Sequence, residues 1–274
     1  MIDSSEKNGF EMNWIPKLLE SAREAGDILM HYFDGHSPLR VMEKPDESPV
    51  TQADLEADKF IRKLLLDIAP SIPVISEEHS LPSDEEIATY SDFWLVDPLD
   101  GTRAFMRGSG EFAVNIAFMH QQKPVFGIIY LPFTRQLYWG HVGKKAFRSQ
   151  SITKDGKSPH TEEIRVSGKK TELTAILSHM YAQSEREEIL VNYPITKWIG
   201  ASSALKFCRV AEGAADLYAR KGRTMEWDTA AGQAVIEAAG GKVFNPYTGK
   251  TISYKKPGMD NGAFLCSGMG DYLI

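Results

Sequence analysis

Cysteine is nearly absent from this 274-residue chain. Cys208 and Cys266 stand far apart, with no CxxC pair and no zinc-ligand spacing. That excludes a disulfide scaffold and a thiolate zinc site, and two reduced, packed thiols of a cytoplasmic protein are expected. Histidine is sparse as well: seven residues, scattered, none in HExxH. Any metal would therefore be held mainly by carboxylates. A basic surplus is missing too, with 31 Lys and Arg against 37 Asp and Glu and a net charge of -6. That argues against a general nucleic-acid binder. It leaves a small anionic ligand open, because local cations or metal ions override net charge. No apolar run approaches a membrane span, though peripheral association needs none. The start, MIDSSEKNGFEMNW, lacks the basic and apolar regions of a signal peptide, and residues 1–11 read as a mobile terminus. No repeat or low-complexity segment is visible.

What is present is ordinary globular patterning, 42% hydrophobic, long enough for a sizeable core in one domain or two lobes. Residues 12–33 carry an amphipathic helical stripe ended by Gly35 and Pro38. Residues 41–44 are short and extended. A second helix starts at Thr51, with Asp54 three residues on as in a capping box. Val74-Ile75 opens a buried strand running into Ser76-Glu77-Glu78, and residues 81–91 read as a polar connector. After the strand 93–96, the runs 112–120, 124–131, 136–140 and 145–148 suggest an antiparallel meander. Residues 149–163 are linker-like. Strands then alternate with helices: strands at 174–178, 196–199, 216–219 and 242–245, helices at 184–192, 203–213 and 229–239. The last helix closes at Gly240-Gly241. This predicts an N-terminal α+β lobe over 1–155 carrying the metal-binding loops. An α/β lobe over 156–274 would complete the site.

The stretch WLVDPLDGTRAF, residues 94–105, resists a purely structural reading. Either acid alone would be a turn residue. Together, Asp97 and Asp100 flank Pro98, whose φ is fixed, and precede Gly101, which permits unusual geometry. Two carboxylates held this close repel unless something positive lies between them. Mg2+ is the natural candidate, since it takes oxygen ligands and keeps waters that a phosphate replaces. Gly101 and Thr102 would turn backbone N–H groups toward that phosphate. Glu77 and Glu78 end another apolar strand, so two strand ends can converge on one metal cluster. Asp54 has a plain reading as a dipole-complementing helix acid. Asp228 has one as an N-cap before the small-residue helix TAAGQAVIEAAGG, which is suited to very close packing.

The run WLVDPLDGT, the upstream EE pair and the downstream WDTAAG together resemble the magnesium-dependent, lithium-sensitive phosphatase superfamily. Its members include inositol monophosphatases, fructose-1,6-bisphosphatases and 3'(2'),5'-bisphosphate nucleotidases. The blocks KPDESPVTQAD, FMRGSGEFAVNI and SSALKFCRVAEGAADLYARKGRTMEWD most resemble the bacterial nucleotidase branch. Ala201 and Arg103 depart from it, where relatives often carry glycine and lysine; neither is a proposed metal ligand.

The resemblance implies a layered α/β fold, an αβαβα sandwich. It implies Glu77, Asp97, the Leu99 carbonyl and Thr102 around a first Mg2+, and Asp97, Asp100 and Asp228 around a second. A third, weaker ion would lie near Glu77, and Li+ would inhibit. It implies Asp54 with Thr102 as the dyad activating water, Gly101 and Thr102 facing phosphate, and Ser203, Lys206, Arg220 and His179 near the nucleotide. Phe105, Met106 and Arg107 are further contact candidates, Phe105 equally a core residue. The expected substrate is adenosine 3',5'-bisphosphate, with 3'-phosphoadenylyl sulfate a second one. Inositol-1-phosphate or histidinol phosphate is the alternative, and cations at Lys206 and Arg220 favour a substrate with a second phosphate. Both a monomer and a homodimer are compatible with the resemblance.

Overall fold

The structure, a computed structural model, describes residues 8–43, 49–150, 160–169, 171–191 and 193–268. A 3-10 turn at Met12–Trp14 leads into α1 (Ile15–Phe33), with Pro16 in the first turn, where no intrahelical amide partner is needed. The terminus is better anchored than its composition suggests: Phe10 is buried and stacks on Phe126 at 4.6 Å. Strand β1 (Val41–Glu43) pairs antiparallel with β2 (Pro49–Thr51). Helix α2 (Gln52–Ile68) starts with the expected capping box between Thr51 and Asp54. After β3 (Val74–Ser76), the polar stretch read as a connector folds as α3 (Asp84–Thr89). The Ser83 hydroxyl accepts from the Glu86 amide at 3.2 Å, and three acids in its first turn suit the positive helix end. Ile87 is the one residue α3 buries, so apolar periodicity had nothing to report.

Strand β4 (Asp92–Asp100) outruns the expected 93–96. Its register against β5 (Ala113–His120) slips between Asp97 and Asp100, a bulge that falls where Pro98 has no N–H for the ladder. Helix α4 (Thr102–Met106) lies between the two strands. The meander continues through β6 (Lys123–Leu131), β7 (Gln136–His141), β8 (Ala146–Gln150) and β9 (His160–Ile164). Strands β8 and β9 pair antiparallel across the linker-like stretch. The core of that stretch, and the lobe boundary at 155, lie outside the described residues.

The second half alternates as expected: β10 (Leu173–Ser178), α5 (Gln183–Val191), β11 (Ile195–Ala201), α6 (Leu205–Ala211), β12 (Leu217–Arg220). Then β13 (Thr224–Met225) leads into α7 (Glu226–Ala238), followed by β14 (Lys242–Phe244), β15 (Asp260–Asn261) and β16 (Phe264–Ser267). Gly240, at φ +93°, turns the chain out of α7. Helix α7 starts earlier than its apolar pattern indicates. Met225 is its N-cap, and Asp228 sits three residues inside rather than capping.

Seven strands form one sheet, in the order β3-β4-β5-β6-β7-β8-β9. Five form a second, β11-β10-β12-β16-β14. One face of the first sheet packs Trp94, Val96, Phe118 and Ile128 against Leu18, Leu29, Ile61 and Leu65 of α1 and α2. Its other face packs Leu95, Ala117 and Ile129 against α6 and α7, which also cover Ile176, Tyr218 and Phe264 of the second sheet. The far face of that sheet packs Ala175, Leu177 and Leu265 against Ile189 of α5. The layering is the αβαβα sandwich. No helix among the described residues is long and apolar enough to cross a membrane.

Helix α7 lies against the first sheet at unusually close range. A Cβ on Gly127 would stand 2.5 Å from the Ala231 carbonyl, and one on Gly140 would stand 3.0 Å from the Val235 Cα. These neighbours are helix backbone and have little freedom to yield. Gly127→Val is expected to cost about 1–3 kcal/mol or more by overpacking. Urea unfolding should show a lower midpoint with an unchanged slope.

Candidate metal centre and substrate cavity

The acids converge because β3 and β4 are parallel neighbours. Ser76 pairs with Val96, and the Glu77 amide donates to the Val96 carbonyl at 3.1 Å. Both strands therefore end side by side, one in Glu77, the other passing through Asp97. The Leu99 amide donates to Asp97 Oδ1 at 3.1 Å, curling the D-P-L-D segment around its first acid. Helix α7 brings Asp228 from across the core, its Oδ2 accepting from the Met225 amide at 2.8 Å. Glu77, Asp97 and Asp228 each offer an oxygen, all within 4.8 Å of one another, and Asp97 is only 1% exposed.

Burial, followed by the fields of Glu77, Asp100, Asp228 and Glu78, pushes the Asp97 carboxyl well above its ordinary pKa. Burial, then Asp100 and Glu77, does the same to Asp228. An all-oxygen donor set under this much repulsion fits a hard divalent cation, which would reverse both shifts.

Asp100 lies outside that three-acid group. Its Oδ2 accepts from the Ser203 hydroxyl at 2.7 Å and the Ala204 amide at 2.5 Å. Gly101, at φ +92°, makes the sharp turn beside it, and a Cβ there would meet the Glu111 carbonyl at 3.0 Å. Thr102 lies 3.3 Å from Asp54 Oδ1 and 3.2 Å from the Leu99 carbonyl, so the structure brings Thr102 and Asp54 together. Asp54 Oδ2 accepts from the Thr51 amide at 2.8 Å and from the Thr51 hydroxyl. Burial raises the Asp54 pKa to about 6, against the lowering effect of Thr51.

A cavity of about 190 Å³ opens beside these acids. Asp100, Gly101, Ser203, Lys206, Arg220 and Asp228 are all among its lining residues. Lys206 is 5% exposed, donates to the Ser203 carbonyl at 2.7 Å and lies 5.2 Å from the Tyr218 ring centre. Burial drives its pKa down to about 8, with Asp100 pulling the other way. The Arg220 Nε is buried without a hydrogen-bond partner among the described residues. Arg107 reaches the lining, whereas Phe105 is core, packed on Phe33 and Phe112, and Met106 is exposed off the cavity. His179 also stays off the lining, its Nε2 3.2 Å from Glu111 and its ring against Gly200.

Sequence reasoning missed Glu111, Asn115 and Tyr218. Glu111 accepts from the Ser202 amide at 2.9 Å and so holds the loop that reaches Asp100. Asn115 pairs directly across from Asp97, 1% exposed, with no hydrogen-bond partner for either amide atom among the described residues. A lone Asn inside the apolar run AVNIAFM was the available signal for that position.

Stripped of cations, the cluster favours the protonated acids. A carboxyl whose folded pKa is raised stabilises the fold below its unfolded pKa, and that contribution fades as pH climbs through the folded value. For Asp54 the window runs from 3.8 to about 6. Asp97→Asn removes a buried carboxyl of the cluster. In EDTA this variant is expected to melt above the wild type near about pH 7, and the gap should close near about pH 4. Saturating Mg2+ should reverse the order at the higher pH.

Comparison with known proteins agrees with this geometry. The inositol monophosphatase family model matches residues 13–267. The 3'(2'),5'-bisphosphate nucleotidase CysQ of Salmonella typhimurium is 39% identical over 245 residues, 88% of this chain and 93% of that protein. The Escherichia coli K12 protein of the same name matches at 39% over the same shares. The crystal structure of CysQ from Bacteroides thetaiotaomicron, described as a bacterial member of the inositol monophosphatase family, superposes with a TM-score of 0.80. It is 30% identical and covers 95% of this chain and 98% of that one. The Thermotoga maritima inositol monophosphatase shares the fold at a TM-score of 0.73, with 94% and 92% coverage and 22% identity. The fold, the acid-bearing loops and these matches together place the chain in the inositol monophosphatase family.

Proposed function

We propose that this protein is a divalent-cation-dependent phosphomonoesterase acting on adenosine 3',5'-bisphosphate, releasing the 3'-phosphate and leaving AMP. The observation that carries the reading is one cavity lined both by the acids Asp100 and Asp228 and by the cations Lys206, which is buried, and Arg220. Similarity to the CysQ nucleotidases supports the same substrate class. An inositol phosphate offers no second phosphate for these cations.

Glu77, Asp97 and Asp228, with Asp100 and the Leu99 carbonyl, are the groups that would hold Mg2+. Cations bound there would supply the charge that acidifies a water and draws the scissile phosphate inward. Everything else falls to the chain. Thr102 donates to Asp54 Oδ1 and leaves its lone pairs for a water; the proton passes through the hydroxyl to Asp54. A carboxylate with pKa about 6 is matched to accepting it near neutral pH. The water oxygen bonds to phosphorus and the bond to the ribose 3' oxygen breaks; that oxygen leaves on the side of Asp100 and Asp228, where a bound cation would offset its charge until it takes a proton from solvent. Lys206 and Arg220 bind the phosphate that is not cleaved, and Ser203 orients it. Because the acids repel without a divalent charge, Li+ in place of one Mg2+ would leave the site under-neutralised and would inhibit.

The test is phosphate release with Mg2+ from adenosine 3',5'-bisphosphate, inositol-1-phosphate and histidinol phosphate. A preference in kcat/KM for the nucleotide of at least about tenfold is expected, the scale of one charge-assisted contact. Preference for either other substrate overturns the specificity reading. Lys206→Ala should narrow the ratio by about 10- to 100-fold, chiefly through KM for the nucleotide. Asp97→Asn should lower turnover of every substrate by more than about 100-fold, beyond what loss of an outer partner costs.

A further inference from the structure

Asp58 is a buried acid that the reaction does not use. It lies one helical turn after Asp54 on α2 and is 2% exposed. Residues four apart share a helix face, so α2 directs both acids the same way. Asp54 is held by Thr51 and faces Thr102. Both oxygens of Asp58 are spent on the end of β3 and the loop after it. Ser76 Oγ donates to Oδ1 at 2.5 Å, and His79 Nδ1 lies 2.9 Å from Oδ2. Between these two anchors sit Glu77 and Glu78.

We infer that Asp58 is the positioning residue that holds Glu77 in the metal cluster. Glu77 faces Asp97 and Asp228 within 4.8 Å. The repulsion at that range drives a carboxylate on a surface loop toward water. Backbone ties on the loop include the Glu77 amide on Val96 at 3.1 Å and the His79 amide closing a turn on Ser76 at 3.2 Å. Neither tie reaches the far side of Glu77 from outside the loop. Asp58 does, because it grips a side chain before Glu77 and another after it. As a carboxylate it is acceptor-only, which orients the Ser76 hydroxyl and selects the His79 tautomer with hydrogen on Nδ1. The grip comes from a helix packed on the sheet face behind the cluster, so the loop cannot relax without moving α2. Asp58 thus sets how readily the loop accepts a cation, while touching neither cation nor substrate. Outer partners of this kind change metal affinity by about 10- to 100-fold.

This rests on the cation-dependent reading of the site, so the test measures the cation directly. Mn2+, which shares the oxygen-ligand preference of Mg2+, is titrated into EDTA-treated, dialysed protein. Free Mn2+ is followed by electron paramagnetic resonance, without substrate. Asp58→Asn is expected to weaken Mn2+ binding about tenfold and to raise the Mg2+ concentration for half-maximal turnover by a similar factor. At saturating Mg2+, kcat and KM should stay within about twofold of wild type. Ser76→Ala and His79→Gln each cut one anchor and should each produce a smaller loss in affinity. They also decide the matter if Asp58→Asn fails to fold. Folded Asp58→Asn that binds Mn2+ like wild type overturns the inference. So does a fall in kcat that high Mg2+ does not recover, and so do single-anchor variants that leave affinity unchanged. Absence of Mn2+ binding in the wild type, or undiminished binding in Asp97→Asn, overturns the cation reading itself and is distinguishable from those results.

Discussion

Crowded negative charge is the constraint on which this structure turns. Three carboxylates share a space of 4.8 Å, one of them almost sealed from water, and burial lifts the pKa of Asp97 and Asp228 well above the usual range. A fold tolerates such a cluster only when the acids are held there by something other than their own preference. Here one oxygen of Asp97, of Asp228 and of the neighbouring Asp100 is committed to the chain. Asp97 gives Oδ1 to the Leu99 amide, Asp228 gives Oδ2 to the Met225 amide, and Asp100 gives Oδ2 to Ser203 and Ala204. Local donors thereby offset part of the charge and aim the remaining oxygen. Much of the architecture follows from having to deliver these acids from separate elements to one point.

The middle helical layer does the delivering. Helix α7 belongs to both sheets, and glycines at 127 and 140 bring its backbone into contact with the first. Gly232 does the same for α6, since a Cβ there would sit 2.4 Å from the Phe207 ring. The far end of α6 is tied back to the first sheet by Glu212, which accepts from Tyr138 at 2.9 Å and Arg148 at 2.6 Å. Glu212 also accepts from Arg209 at 2.5 Å. Lys206 rides on that anchored helix. Its buried ammonium would be expensive in isolation, and the Ser203 carbonyl and Tyr218 ring offset part of that cost. The cavity therefore holds acids and cations on elements fixed by packing before any ligand arrives.

Legibility in the sequence tracked the range of the interaction. The Thr51–Asp54 capping box, the turn at Gly240 and the meander were all readable, since each is decided within a few residues. The α3 helix was not, because its stability comes from caps and dipole rather than from an apolar stripe. The onset of α7 was misread for a related reason: the plausible cap, Asp228, looks outward to the cluster from inside the first turn, and a methionine occupies the cap. Phe10 looked like tail and is core, since one aromatic residue in a polar stretch carries no period.

The sequence by itself determined the chemistry available: carboxylates at strand ends, no thiolate or histidine site to compete, and a rigid D-P-L-D turn with glycine after it. It also determined the family, through ordered motifs that cover most of the chain. Only the tertiary structure decided which acids share one point, which are tied elsewhere, and which residues line the cavity. Asp100 and His179 looked no different from their neighbours in the sequence, yet one is committed to the Ser203 loop and the other to Glu111. Asp58 carried no motif at all, and Asn115 stood inside a family-like block with no role of its own. The reason is physical: local propensity acts over a turn or a strand, whereas the meeting of β3, β4 and α7 depends on parallel register and close packing between elements far apart in the chain.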